Sequence, residues 1–139
     1  MSRWTGDGGR VSAFVTIMVV ALLLVTGLVI DGGLALGVKV RAIGVAEEAA
    51  RTGAQHIDLA VYRDTGQIQL RADEATSAAR TYLATAGMSG TVTVAGNQVT
   101  VTVNGSQRTQ LLGMIGIHKL AVTASASAEP RYGVDGPER

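Results

Sequence analysis

Cysteine is absent from this chain, so neither a disulfide nor a thiolate-bound metal can staple its fold. Aromatic residues are nearly as scarce: Trp4 and Phe14 lie near the N-terminal end, leaving Tyr62, Tyr82 and Tyr132 for everything else. Any core must be built from Val, Leu, Ile and Ala, and a small core of that kind supplies only about a few kcal/mol. Such a domain is expected to lean on another element or another subunit. Charge of one sign is also lacking. Twelve Lys and Arg against eleven Asp and Glu leave a net +1. With the signs mixed along the chain there is no basic stripe of the kind that binds nucleic acid. Catalytic constellations are missing as well. His56 and His118 are single and far apart, with no H-E-x-x-H or comparable ligand spacing, and read as surface or packing residues. Gly6, Gly8 and Gly9 form no phosphate loop, since no strand precedes them and no Lys-Ser/Thr follows. The residues therefore point to no enzyme activity, no cofactor, no metal and no small-molecule substrate.

What the chain does have is a long hydrophobic run. Residues 11–30 carry no charge, and sixteen of the twenty are apolar. As a helix they measure about 30 Å, the hydrocarbon thickness of a bilayer. Thirteen are Val, Leu, Ile or Phe, which corresponds to about −4 to −8 kcal/mol on a biological insertion scale before the polar residues are subtracted. A cleaved secretory signal is the competing reading, with exits at Gly33-Leu34-Ala35 or Ala35-Leu36-Gly37. Its apolar region normally runs about 7–15 residues, shorter than this one. Basic residues flank the run evenly, Arg3 and Arg10 before it and Lys39 and Arg41 after it. The short leading segment favours a cytoplasmic N-terminus and an exported C-terminal part.

Beyond Asp31-Gly32-Gly33 the pattern stays helical. Leu36, Val40, Ile43, Glu47, Ala50, Ala54, Ile57 and Val61 recur at spacings of four and three, a stripe along one helical face. Ala46, Ala49, Ala50, Gly53 and Ala54 are small enough to admit a close neighbour. That neighbour is either the chain's own small domain or another helix. Gly27, Gly32, Gly33 and Gly37 are the places for a bend. Glu47 is placed to pair with Arg51 at i,i+4. Asp31 reads either as an assembly contact at the membrane edge or as an ordinary boundary residue.

The remainder reads as a small α+β head. Asp64-Thr65-Gly66 is a turn, followed by a short strand over residues 67–71. Asp73 caps a helix with Ala75, Ala78, Ala79, Tyr82, Leu83 and Ala86 on its apolar face, ended by Gly87. Residues 91–94 and 99–103 alternate Thr and Val around Gly96-Asn97 and form a hairpin pairing Val94 with Val99 and Val92 with Val101. Ser106 caps a short helix to about Ile115, and an alternating final strand from Leu120 is stopped by Pro130. The organisation expected is a cytoplasmic segment (1–10), a transmembrane helix (11–30), an Ala-rich helical stalk (31–62), the α+β head (63–130) and a disordered tail (131–139).

Gly9-Arg10-Val11-Ser12-Ala13-Phe14, the hydrophobic run, Gly27-Leu28-Val29-Ile30-Asp31-Gly32-Gly33, and Ala46-Glu47-Glu48-Ala49-Ala50-Arg51-Thr52-Gly53-Ala54 together resemble the N-terminal module of TadE/TadG-like Flp pilus-assembly proteins. Glu48 stands where that family commonly has Asp. TadE-type pseudopilins resemble type IV prepilins, which are cut after a Gly with Glu five residues on. Gly9 would be the processing site here, but its fifth follower is Phe14, so the TadG-like branch fits better. Composition rich in Ala, Gly, Val and Arg is similar to that of a high-GC actinobacterium. The resemblance implies a single-pass, non-enzymatic membrane component of a Tad/Flp-type pilus or secretion apparatus, in contact with other pilus-assembly proteins or copies of itself. Asp31, Glu48, Ala50, Gly53 and Ala54 are the candidate assembly contacts. The alternative is a secreted or anchored extracellular binding domain whose hydrophobic segment serves only for targeting.

Overall fold

Between the N-terminal end and Pro130 the chain contains no proline, so nothing forbids a long helix. In the computed structural model, which describes residues 8–131, a single helix α1 runs from Gly8 to Ala54 over 47 residues. At 1.5 Å per residue it is about 70 Å long. The tail expected at 131–139, apart from Arg131, and most of segment 1–10 lie outside the described residues.

The helix ends earlier than the stripe suggests, and the reason is non-local. Residues 56–58 turn away to pair with 69–71: Asp58 N–H donates to the Gln69 carbonyl (2.7 Å) and Arg71 N–H to that of His56 (2.9 Å). Asp58 then caps a separate helix, α2 (Leu59–Thr65), its carboxylate accepting from the N–H groups of Ala60 and Val61. Ile57 and Val61 therefore leave the α1 stripe. The strand expected over 67–71 is reduced to one bridge, Ile57 with Leu70. Asn97 supplies further partners, accepting from the Leu70 N–H (3.1 Å) and donating to the Ile68 carbonyl (2.6 Å).

Helix α3 (Ala72–Thr85) buries Ala75, Ala79 and Leu83 and ends before Gly87, which takes a left-handed φ of 68°. Its N-cap is Arg71 rather than Asp73. Asp73 sits inside the first turn, where its charge favours the helix dipole.

Three antiparallel strands follow in spatial order: β1 (Ser89–Ala95), β2 (Gln98–Arg108) and β3 (Lys119–Ala128). The hairpin has the expected register, Val94 opposite Val99 and Val92 opposite Val101. Gly96 alone in the turn has positive φ (57°), as a Gly-first two-residue loop requires. Ser106 does not cap a helix. It lies in β2 opposite Ala121, because β3 is long enough to carry the pairing to Arg108 and Lys119. Only a 3-10 turn, Leu112–Ile115, interrupts the connection between the two strands.

Side-chain alternation gives the sheet two unlike faces. Val99, Val101 and Val103 are fully buried on one, beside Ala124. The other is a hydroxyl face, where Thr100 meets Ser127 (2.9 Å) and Thr102 meets Ser125 (3.1 Å). The valine face packs against Ala42, Ala46, Ala49 and Ala50 of α1, with α3 closing the side. Approach is close enough that a Cβ on Gly53 would lie 2.9 Å from the Ala75 carbonyl oxygen and 3.1 Å from Val99 Cγ1. The head therefore has no core without the C-terminal part of α1.

Val99→Asp should lower the unfolding free energy by about 3 kcal/mol or more, since it leaves an unpaired charge in the core. Thr100→Asp, one residue on but on the hydroxyl face, should cost under about 1 kcal/mol. Urea denaturation in detergent, followed by circular dichroism, compares the two. Equal losses would contradict the observed facing.

Candidate functional site

Asp31 is the one buried charged residue among those described, with no accessible surface. It follows directly on the apolar run of α1, where the helix begins to acquire neighbours from the head. Its carboxylate accepts three backbone hydrogen bonds from the start of the β2–β3 connection: Gln110 N–H to Oδ1 (2.7 Å), and Leu111 and Leu112 N–H to Oδ2 (3.0 and 2.7 Å). Those N–H groups lie at the opening of the 3-10 turn and have no partners within it. The Leu112 N–H is the strongest influence holding the carboxyl below its usual pKa range; burial opposes it, and the Gln110 and Leu111 N–H groups add to the lowering. Asp31 thus fastens a loop eighty residues away in sequence to the end of the apolar helix.

The loop itself is apolar. Residues 109–118 contain no Asp, Glu, Lys or Arg. Its neck is closed by Thr109, whose N–H donates to His118 and whose hydroxyl donates to the Ile117 carbonyl. The turn satisfies further groups internally, with the N–H of Met114, Gly116 and Ile117 donating to Leu111, Gly113 and Leu112. Leu111 rests on Gly27, where an added Cβ would come within 3.1 Å of the Leu111 Cβ. An open apolar cleft runs between the loop (Leu111, Met114, Ile115) and the helix (Val20, Leu23, Leu24, Thr26).

Other residues singled out in the sequence take different places. Ala50, Gly53 and Ala54 are buried against the protein's own α3 and sheet, so the small-residue face is engaged within the chain. Glu48 is exposed and lies 3.9 Å from Arg51; the pair forms at i,i+3, in place of the expected Glu47–Arg51 pair. Gly9 is exposed in the first turn of α1. His56 lies 3.7 Å from Glu74, which also pairs with Arg71 at 2.6 Å. Among the described residues no three His, Asp or Glu side chains converge as metal ligands.

Two surfaces remain uncovered. The apolar run is exposed except at Gly27, with Phe14, Leu23 and Val29 among its most accessible members, so this is no core helix of a soluble domain. It is long and apolar enough to cross a membrane. Beyond it Leu36, Val40 and Ile43 also face outward. They belong to the expected stripe, but the face that meets the sheet lies roughly a third of a turn away at about 100° per residue. Sequence reasoning missed the loop as the partner of Asp31. The available signal was its ten uncharged residues, five of them large and apolar, between Arg108 and Lys119.

Asp31→Ala should release the loop: amide hydrogen exchange at Gln110, Leu111 and Leu112 should rise roughly tenfold or more, with the β2 core amides unchanged. In the native chain the lowered carboxyl pKa means the contribution is fully present above the unfolded value of about 3.9. It is lost only as pH falls through the lower folded value. Loop protection should therefore persist at pH 5, and its loss there would contradict the clasp.

Comparison with known proteins places one part of the chain. Residues 9–56 match the family model described as putative Flp pilus-assembly TadE/G-like. The match takes in the apolar run, Asp31 and the Ala-rich face, and does not separate a TadE-like from a TadG-like branch. No curated protein and no solved structure matches the chain. From the apolar run to the end of α1, then, the chain is similar to the TadE/G-like Flp pilus-assembly family, and a small α+β head follows.

Proposed function

We propose that this chain is a single-pass, non-enzymatic membrane component of a Tad/Flp-type pilus or secretion apparatus that assembles through an exposed face of α1. The observation that carries the reading is the uncovered stripe beyond the span. Leu36 and Val40 are each 62% exposed and Ile43 36%, on successive turns of a helix whose neighbouring face is already filled by the head. Three large apolar side chains aligned outside the membrane favour a partner helix over water. Either another pilus-assembly protein or a second copy of the chain supplies it. Glu48 and Arg51, exposed one to two turns further on, mark the polar end of the contact. The N-terminus lies in the cytoplasm and the head on the extracytoplasmic side.

Retention of the hydrophobic segment is favoured over its removal by the clasp. Cleavage after Ala35 or Gly37 would discard Asp31 and strand the three N–H groups it accepts from, together with the Gly27 seat of Leu111.

Because the chain has no native cysteine, single cysteines test the face directly. Val40→Cys should cross-link to pilus-assembly partners or to another copy in native membranes, whereas Ser77→Cys, exposed on α3, should not. Val40→Asp should reduce co-purification with the secretion complex by about tenfold without changing head stability. Equal cross-linking at both sites would sink the assembly face. Leu23→Arg should abolish carbonate-resistant membrane association, since a cation at mid-span costs about 2.5–3.5 kcal/mol on the insertion scale.

A further inference from the structure

The β2–β3 connection presents Leu111, Met114, Ile115 and Ile117 at the surface, with Met114 85% exposed. A small head gains nothing from so many large apolar side chains in water on one loop. Their position supplies the reason. Leu111 sits on Gly27, inside the apolar run, and the cleft beside Met114 and Ile115 extends along the helix as far as Val20. Val20 precedes Asp31 by eleven residues, about 16 Å along the axis. The loop therefore overlaps the C-terminal half of the span, and whatever surrounds the span at that level surrounds the loop.

We infer that residues 110–117 are a second membrane element, dipping into the leaflet at the C-terminal end of the span and covered there by lipid acyl chains. The inference rests on the span crossing the bilayer, and goes beyond it by placing part of the head in the membrane too. Two further observations fit lipid as the occupant. A loop at the membrane boundary is costly where its backbone polar groups lack partners, and this one meets them within the protein. Asp31 takes the N–H groups of Gln110, Leu111 and Leu112, and the turn and its neck take those of Thr109, Met114, Gly116 and Ile117. The loop is also bounded by cations. Arg108 and Lys119 face each other at the last rung of β2 and β3, where anionic headgroups would meet them.

Single-cysteine variants labelled with the fluorophore NBD test this in vesicles of phosphatidylcholine and phosphatidylglycerol, with and without brominated acyl chains. Full-length protein carries the label at Met114→Cys, at Leu23→Cys in the span, or at Ser127→Cys on the hydroxyl face. Met114 is surface-exposed, so its replacement leaves the core intact. Quenching by brominated lipid is expected at Met114 to at least about half the extent seen at Leu23, with none at Ser127. Quenching at Leu23 with none at Met114 would overturn the inference and leave the anchor standing. A blue-shifted Met114 label that brominated lipid does not quench would also overturn it, since protein, such as a second copy, would then cover the loop. Loss of quenching at Leu23 as well would remove the transmembrane reading and this inference together.

Discussion

The structure depends on how closely one helix can approach one sheet. α1 presents Ala42, Ala46, Ala49, Ala50 and Gly53 to the valine face of β2, and each of these residues is small enough to bring backbone near side chain. A head with almost no aromatic residues cannot fill a wide interlayer space, so its stability has to come from proximity. Val99, Val101 and Val103 fill the gap from the sheet side, and α3 closes it with Ala75, Ala79 and Leu83. Remove the C-terminal part of α1 and no second layer remains for the valines. The head and the membrane helix are in this sense one folding unit.

From that contact the rest of the arrangement follows along the helix axis. With the sheet fixed to residues 42–54, the strands run back beside α1 and their β2–β3 connection arrives at Gly27 and Asp31. A buried carboxylate would be costly alone, but here it meets three N–H groups that the start of a 3-10 turn leaves without partners. Each solves the other's desolvation. The face of α1 roughly a third of a turn from the sheet contact is left free, and it carries Leu36, Val40 and Ile43.

Features set by local chemistry were legible in the sequence. Val and Thr alternating about Gly96-Asn97 specified the hairpin down to its register, and the helical spacing beyond Asp31 carried the helix on past the apolar run. Features set by distant residues were not. The inward face of α1 was legible in part: Ala46, Ala49, Ala50, Gly53 and Ala54 marked a close approach, but the stripe also ran through Leu36, Val40 and Ile43 because hydrophobic periodicity gives weight to large residues. Helix α1 stops at Ala54 because residues 56–58 have partners at 69–71, which no local propensity encodes. Ser106 looked like a cap because its hydroxyl suits one, but the length of β3 decides how far β2 extends. Asp31 was recognised as unusual, while its acceptor role depended on backbone groups some eighty positions later.

An uninterrupted α1 also makes the protein a lever. No break separates the apolar run from the segment that carries the sheet, so a change of helix tilt within the bilayer is transmitted to the head as a displacement. From Ile30 to Ala54 the arm is about 36 Å, and a ten-degree change in tilt would swing its far end by roughly 6 Å. Membrane thickness and the lateral pressure of neighbouring helices would thus register as a change in the position of the head.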